Sequence, residues 1–207
     1  AGREGEAHRA VESGEQLHGW DKYGQLVAEA YAQAPDQTPE AKEAFLRLGH
    51  HVIKTFPKVT SRYDVEFVKG QPYDSAEDMA KKVKETGVLQ ISSDFNQSDI
   101  FGPVENLMFR AVHDYYGHFK SGGHEADPSK LASFDFEGEL RSFNNHLKSL
   151  PGSEMAKAMF TEVIGQAAYF LYYGSFPDQK MTFLDEFDHE NLGVIKGYSI
   201  KNGDLIK

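Results

Sequence analysis

The sequence predicts a mainly α fold of α+β type: a single helical domain with a few short peripheral strands. Three observations carry this. Apolar residues recur at three- and four-residue spacing through most of the chain, as in helices with one buried face. Strict apolar–polar alternation is confined to short runs. The 207 residues, with 15 Phe and 10 Tyr, are enough to build one sizeable core.

The elements follow in chain order. Residues 1–18 are polar, rich in Gly and Glu, and without periodicity, so they read as a flexible N-terminal arm, leaving 19–207 as the domain. The start at Ala1, without Met, reads as a processed, excised or tagged form. Trp20, Tyr23, Leu26, Val27, Ala30 and Tyr31 mark a helix over 20–34. Thr38-Pro39-Glu40 supplies an N-cap followed by proline, opening a second helix that is expected to stop at Phe56-Pro57. Tyr63 to Val68 alternates and is broken by Gly70-Gln71-Pro72, so it reads as a strand. Asp74 to Asp78 opens a third helix, Thr86-Gly87 closes it, and Val88 to Ser92 is a second strand. A polar loop over 93–103 leads into a helix over 104–119. After a loop over 120–133 come helices over 136–150 and 153–173, the first stopped by Pro151-Gly152 and the second by Gly174. Val194-Ile195 and Tyr198-Ser199-Ile200 suggest a terminal hairpin around Lys201 to Asp204.

Composition limits the chemistry. There is no cysteine, which removes disulfides, thiolate metal sites and a cysteine nucleophile; any metal must use nitrogen and oxygen ligands. The net charge of −10 argues against a nucleic-acid footprint, and the densest basic cluster, Lys81-Lys82-Val83-Lys84, reads as a solvated helix face. No apolar run is long enough for a membrane span, and no signal-peptide pattern is present. Oligomeric state is not legible.

The segment Phe109-Arg110-Ala111-Val112-His113-Asp114-Tyr115-Tyr116-Gly117-His118 concentrates candidate ligands. On an ideal helix His113 and His118 would point roughly 140° apart, so they can share a metal only if the helix distorts. Gly117 is the residue that would allow it. The next helix carries Glu139 and His146 on one face, and the one after carries Glu162 and Gln166 one turn apart. Glu162 lies in an otherwise apolar stretch, where a carboxylate is costly to bury without a partner such as a cation. Asp114 could orient an imidazole through its second nitrogen. His50, His51, His124 and His189 read as surface residues.

With these residues in view, the pattern His113-Asp114-x-x-Gly117-His118, followed by Phe160-Thr161-Glu162, resembles the iron site of the aromatic amino acid hydroxylases. That resemblance implies a 2-His-1-carboxylate Fe(II) site with His113, His118 and Glu162 as ligands. The acid here is Asp114 where the family has Glu, and Glu162 is one place out of register. More broadly, residues 72–173 resemble a family found in phage genomes and phage-like mobile elements, which implies that Glu139, His146 and Gln166 belong to the site as well. The segment Val112 to His118 is also similar to the central motif of the HD-domain phosphohydrolases.

The expectation is therefore a mononuclear metal enzyme acting on a small molecule. Its metal ligands would be His113, His118 and Glu162, with Glu139, Asp114, His146 and Gln166 as catalytic candidates. Fe(II) is the expected metal and oxygen-dependent hydroxylation the expected reaction, with zinc or manganese as alternatives. A metal-dependent hydrolase is the second reading, and a phage structural protein with a buried His/Glu network the third. The resemblance implies a location in the host cytoplasm or in the virion.

Overall fold

The computed structural model describes residues 19–98, 100–121, 123–187 and 189, with strand backbone at 199–201 and 204–206. The expected N-terminal arm and Val194-Ile195 lie outside the described residues. The mainly α expectation holds.

Helix α1 (Gly19–Gln33) buries Tyr23, Val27, Ala28 and Tyr31 on one face. Helix α2 (Pro39–Thr60) opens as expected, with the Thr38 hydroxyl accepting from the amide of Ala41. It does not stop at Phe56-Pro57, however, but runs through Pro57 to Thr60. A proline in a helix removes one hydrogen bond, here to the carbonyl of Ile53, and Ile53 is exposed, so water can replace the lost donor.

Strand β1 (Asp64–Val68), helix α3 (Ala76–Thr86) and strand β2 (Val88–Ser92) form a βαβ unit. The two strands pair in parallel, Asp64 opposite Val88 and Val68 opposite Ser92. Ser75 caps α3 and Gly87 ends it in the left-handed conformation that glycine adopts without cost. Strand β2 buries Leu89 and Ile91.

Helix α4 (Pro103–His113) passes directly into a π-helical turn, π1 (Asp114–Phe119). A short antiparallel pair follows, β3 (Lys120–Ser121) with β4 (His124–Glu125). Then come α5 (Phe136–Leu147), α6 (Ser153–Met159), a second π-helical turn π2 (Phe160–Gly165), and α7 (Gln166–Tyr173). The helices expected over 104–119 and 153–173 are therefore not uniform; each contains a π turn, which inserts a residue that apolar periodicity does not register. Strands β5 (Ser199–Lys201) and β6 (Asp204–Ile206) pair antiparallel, as the expected hairpin does.

Helix α1 lies along α7, α2 against α4 and α6, and α5 against π1. Tyr23, Tyr31, Phe45, Phe119, Phe143 and Phe160 are the largest side chains of the shared core. Each such burial stabilises by roughly 1.5–3 kcal/mol. Among the described residues, no helix is long and apolar enough to cross a membrane.

Candidate metal centre

The π1 turn resolves the spacing problem of the histidine pair. Its i→i+5 hydrogen bonding brings residues five apart onto one face. His113, the last residue of α4, and His118, within π1, stand with ring centroids 5.2 Å apart and planes perpendicular. The expectation that Gly117 loosens the helix is met in a different way: the helix widens rather than ends. A Cβ on Gly117 would lie 3.1 Å from His113 Cε1 and from the Cβ and carbonyl oxygen of Ser142. Glycine there lets α5 approach the turn closely. The approach is fastened by Asn145 of α5, whose side-chain amide donates to the Gly117 carbonyl at 2.9 Å.

Glu139 arrives from the first turn of α5. That turn is capped by Asp135, which accepts from the Gly138 amide at 2.8 Å and from the Ser133 hydroxyl at 2.7 Å. The Glu139 carboxylate spans both imidazoles: Oε1 is 3.1 Å from His118 Nε2, and Oε2 is 3.5 Å from His113 Nε2. His113, His118 and Glu139 thus form a cluster that could hold a metal ion, with one ligand atom from each lying within 4.8 Å of the others. His118 is 2% exposed, and the Glu139 side chain, 20% exposed, forms the open side.

Both imidazoles have their second nitrogen occupied. His118 Nδ1 lies 2.8 Å from the Ala132 carbonyl, so it carries a proton and Nε2 is the nitrogen turned to Glu139. His113 Nδ1 lies 3.2 Å from Nδ1 of His146. Burial lowers the His146 pKa well below its ordinary value, aided by the neighbouring histidines, so this ring is neutral and shares one proton with His113 across the Nδ1–Nδ1 contact. Its Nε2 is buried without a hydrogen-bond partner. Phe109 stacks on His113, and Phe134 meets His118 edge-on, closing the apolar sides of the cluster.

The electrostatics are those of a tightly coupled set. Burial alone would lower the His118 pKa, but the carboxylates of Glu139 and Asp114 outweigh it and hold the ring at about 9. Burial would raise the Glu139 carboxyl; His118 and His113 outweigh that and hold it far below the usual carboxylate range. Asp114 is half-buried, and its carboxyl is pushed up by desolvation against the pull of the two histidines.

The other expected site residues fall as follows. Glu162, expected as the carboxylate ligand, lies outside this group, and Glu139, expected as a catalytic residue, is the carboxylate that stands with the two histidines. The reason is packing. Glu162 lies in π2, where its Oε1 accepts from Gln179 at 2.8 Å and its other oxygen is buried without a partner. Burial pushes this carboxyl up to about 7, against the pull of Gln179 and Gln166. Gln166 therefore belongs with Glu162 and not with the histidines. His146 touches the cluster through His113. His51, expected at the surface, is half-buried, and His189 is buried against Phe160.

Sequence reasoning missed Ser142, whose hydroxyl is 3.2 Å from Glu139 Oε2 and 3.3 Å from His113 Nε2. Its place on the stripe of Glu139 and His146 was the available signal. It also missed Arg110, which donates to the carbonyls of Ser92, Asp94 and Phe95 and ties the loop after β2 to α4. The Ala132 carbonyl carries no sequence signal at all. Scans against protein-family models, curated proteins and solved structures give no match to this chain.

Proposed function

We propose that this chain is a mononuclear non-heme metal enzyme of hydroxylase type, holding Fe(II) through His113, His118 and Glu139. The observation that carries the reading is the donor set. Two imidazoles with Nδ1 committed turn Nε2 toward one carboxylate, in a cluster whose open side is the carboxylate itself. Structural zinc sites are closed by four protein ligands, whereas three ligands leave positions for reactants. Held by two His and one carboxylate, an Fe(II) ion would supply the capacity to activate dioxygen toward a small substrate.

The protein's own part is positional. His146 and the Ala132 carbonyl fix the two tautomers. Ser142 sits within hydrogen-bonding distance of Glu139 and holds its rotamer. Asp114, beside both histidines and half-buried, is the group able to hold a proton next to the site. The wider phage-family resemblance supports the same assembly, since it adds Glu139 and His146 to the histidine pair. The same three ligands would serve a second reading, metal-dependent hydrolysis with zinc or manganese.

Anaerobic titration with Fe(II), Zn(II) and Mn(II), with metal quantified after desalting, tests the proposal. One equivalent is expected in the native chain and none in His118→Ala. Glu139→Ala should lose the site and Glu162→Ala should keep it. Undiminished uptake by His118→Ala, or no uptake by the native chain, overturns the assignment and leaves a buried polar network of structural character. Oxygen consumption by the Fe(II) form, set against phosphoester hydrolysis by the Zn(II) and Mn(II) forms, separates the two chemistries.

A further inference from the structure

One concave surface runs against the charge of the molecule. The chain carries −10, yet a cleft of about 650 Å³ is lined by Lys58, Arg62, Lys84, Lys120 and His124. These residues come from the last turn of α2 and the residues after it, the last turn of α3, and the β3–β4 pair. They come from three separate stretches of the chain, and of them only Lys84 belongs to the basic cluster Lys81-Lys82-Val83-Lys84. Lys58 and Lys84 each suit the C-terminal end of a helix dipole, which explains either one alone. It does not explain why both converge with Lys120 on one cleft.

Glu125 is the acid of this wall, and it is already engaged. It accepts two hydrogen bonds from Arg62, at 3.2 and 2.9 Å, and further ones from the hydroxyls of Tyr63 and Tyr115. Among the described residues, Lys58, Lys84 and Lys120 have no acidic partner within 4.0 Å. Three unpaired ammonium groups in an acidic protein therefore face one cavity. Lys120 lies 5.6 Å from the ring centroids of both Tyr115 and Tyr116; Tyr115 is buried, so Tyr116 is the partly exposed ring beside the charges.

We propose that this cleft binds a small phosphate-bearing molecule with a planar organic group. The lysines act as point charges on the phosphoryl oxygens, and the Tyr116 ring receives the organic part. A nucleic acid would need a basic stripe on a chain that did not repel it, and this chain has a pocket and a strong negative charge. The inference does not rest on the metal centre.

Calorimetric titration of the metal-free chain, in chelator and low salt, with AMP and with inorganic pyrophosphate tests it. Saturable one-to-one binding of both is expected, weakening as salt rises. Lys58→Glu/Lys84→Glu should weaken it by at least about tenfold, because two attractions become repulsions. Lys42→Glu/Lys148→Glu, with the same change in net charge at two exposed positions outside the cleft, should weaken it by no more than about threefold if long-range charge is mostly screened. The titration uses the metal-free chain, which keeps this result separate from the fate of the metal proposal. Absence of saturable binding, equal losses in the two charge-reversed variants, or tighter binding of a single-stranded oligonucleotide than of AMP overturns the proposal. Circular dichroism of each variant confirms that the comparison is between folded proteins.

Discussion

Two imidazoles and a carboxylate in a protein interior can pair as ions or hold a cation, and the positions of the imidazole protons separate the two uses. Here the Ala132 carbonyl engages Nδ1 of His118 and His146 engages Nδ1 of His113, which fixes both rings with Nε2 turned to Glu139. His146 is therefore a positioning residue. His146→Leu is expected to weaken Fe(II) or Zn(II) binding by about 10–100-fold while leaving the stoichiometry at one, read from competitive chelator titration. Glu162 makes a different prediction. Its carboxyl is raised to about 7 in the folded protein, from an ordinary 4.5. Below 4.5 both states are protonated and burial carries no ionisation penalty. Between 4.5 and 7 the unfolded chain loses the proton and the folded one keeps it, so stability falls with rising pH; above 7 the penalty is constant. The shift corresponds to at most about 3 kcal/mol. Glu162→Gln should flatten this part of the pH–stability curve and raise stability at pH 8, measured by urea denaturation across pH 4–8. An unchanged slope would show that Glu162 is not the group responsible.

At the scale of elements, the two π turns do what regular helices could not. An α-helix would point His113 and His118 roughly 140° apart, while π1 faces them together and lets Gly117 admit α5. Gly117→Ala should destabilise the fold by about 1–3 kcal/mol, because the new methyl must displace Ser142 backbone or the His113 ring. The same shift moves Glu139 relative to the histidines, so metal affinity should fall along with the denaturation midpoint. Wild-type affinity in this variant would show that the site does not depend on that approach. The same elements show why only part of the site was legible. Strand β2 was readable to the residue, and β1 to within one, because alternation and turn residues bound them. The caps at Thr38 and Ser75 lie at the expected openings because capping is local chemistry. The π turns were not readable, since one inserted residue leaves the apolar pattern nearly unchanged. Nor was the choice between Glu139 and Glu162. Both are helical acids near apolar neighbours, and only the packing of α5 on π1 decides which one meets the histidines.

At the scale of the molecule, the segment after α7 returns across the fold and closes it. The Met181 carbonyl accepts from the Thr38 amide and the Met181 amide donates to Asp36, both at 3.0 Å, so the strap is laced to the α1–α2 loop. The Thr161 hydroxyl donates to the Thr182 carbonyl at 2.7 Å, joining the strap to π2, and Leu184 and Phe187 complete the core. Lys180 is the polar fastener. Its ammonium donates to the carbonyls of Tyr31 and Ala34, both at 2.8 Å, and of Ala32 at 3.2 Å, at the C-terminal end of α1 where a cation is favoured. Lys180→Met keeps the aliphatic stem and removes the three donors. Exposed carbonyls can turn to water, so the loss should fall below the sum of three bonds, at about 1–3 kcal/mol. Because the strap also carries Gln179, which donates to Glu162, loosening it should expose Glu162 to water and bring its pKa down toward 4.5. The expected result for Lys180→Met is thus a lower melting temperature together with a flatter stability curve between pH 4.5 and 7. A lower melting temperature with the curve unchanged in shape would confine the role of Lys180 to capping α1 and detach it from the environment of Glu162.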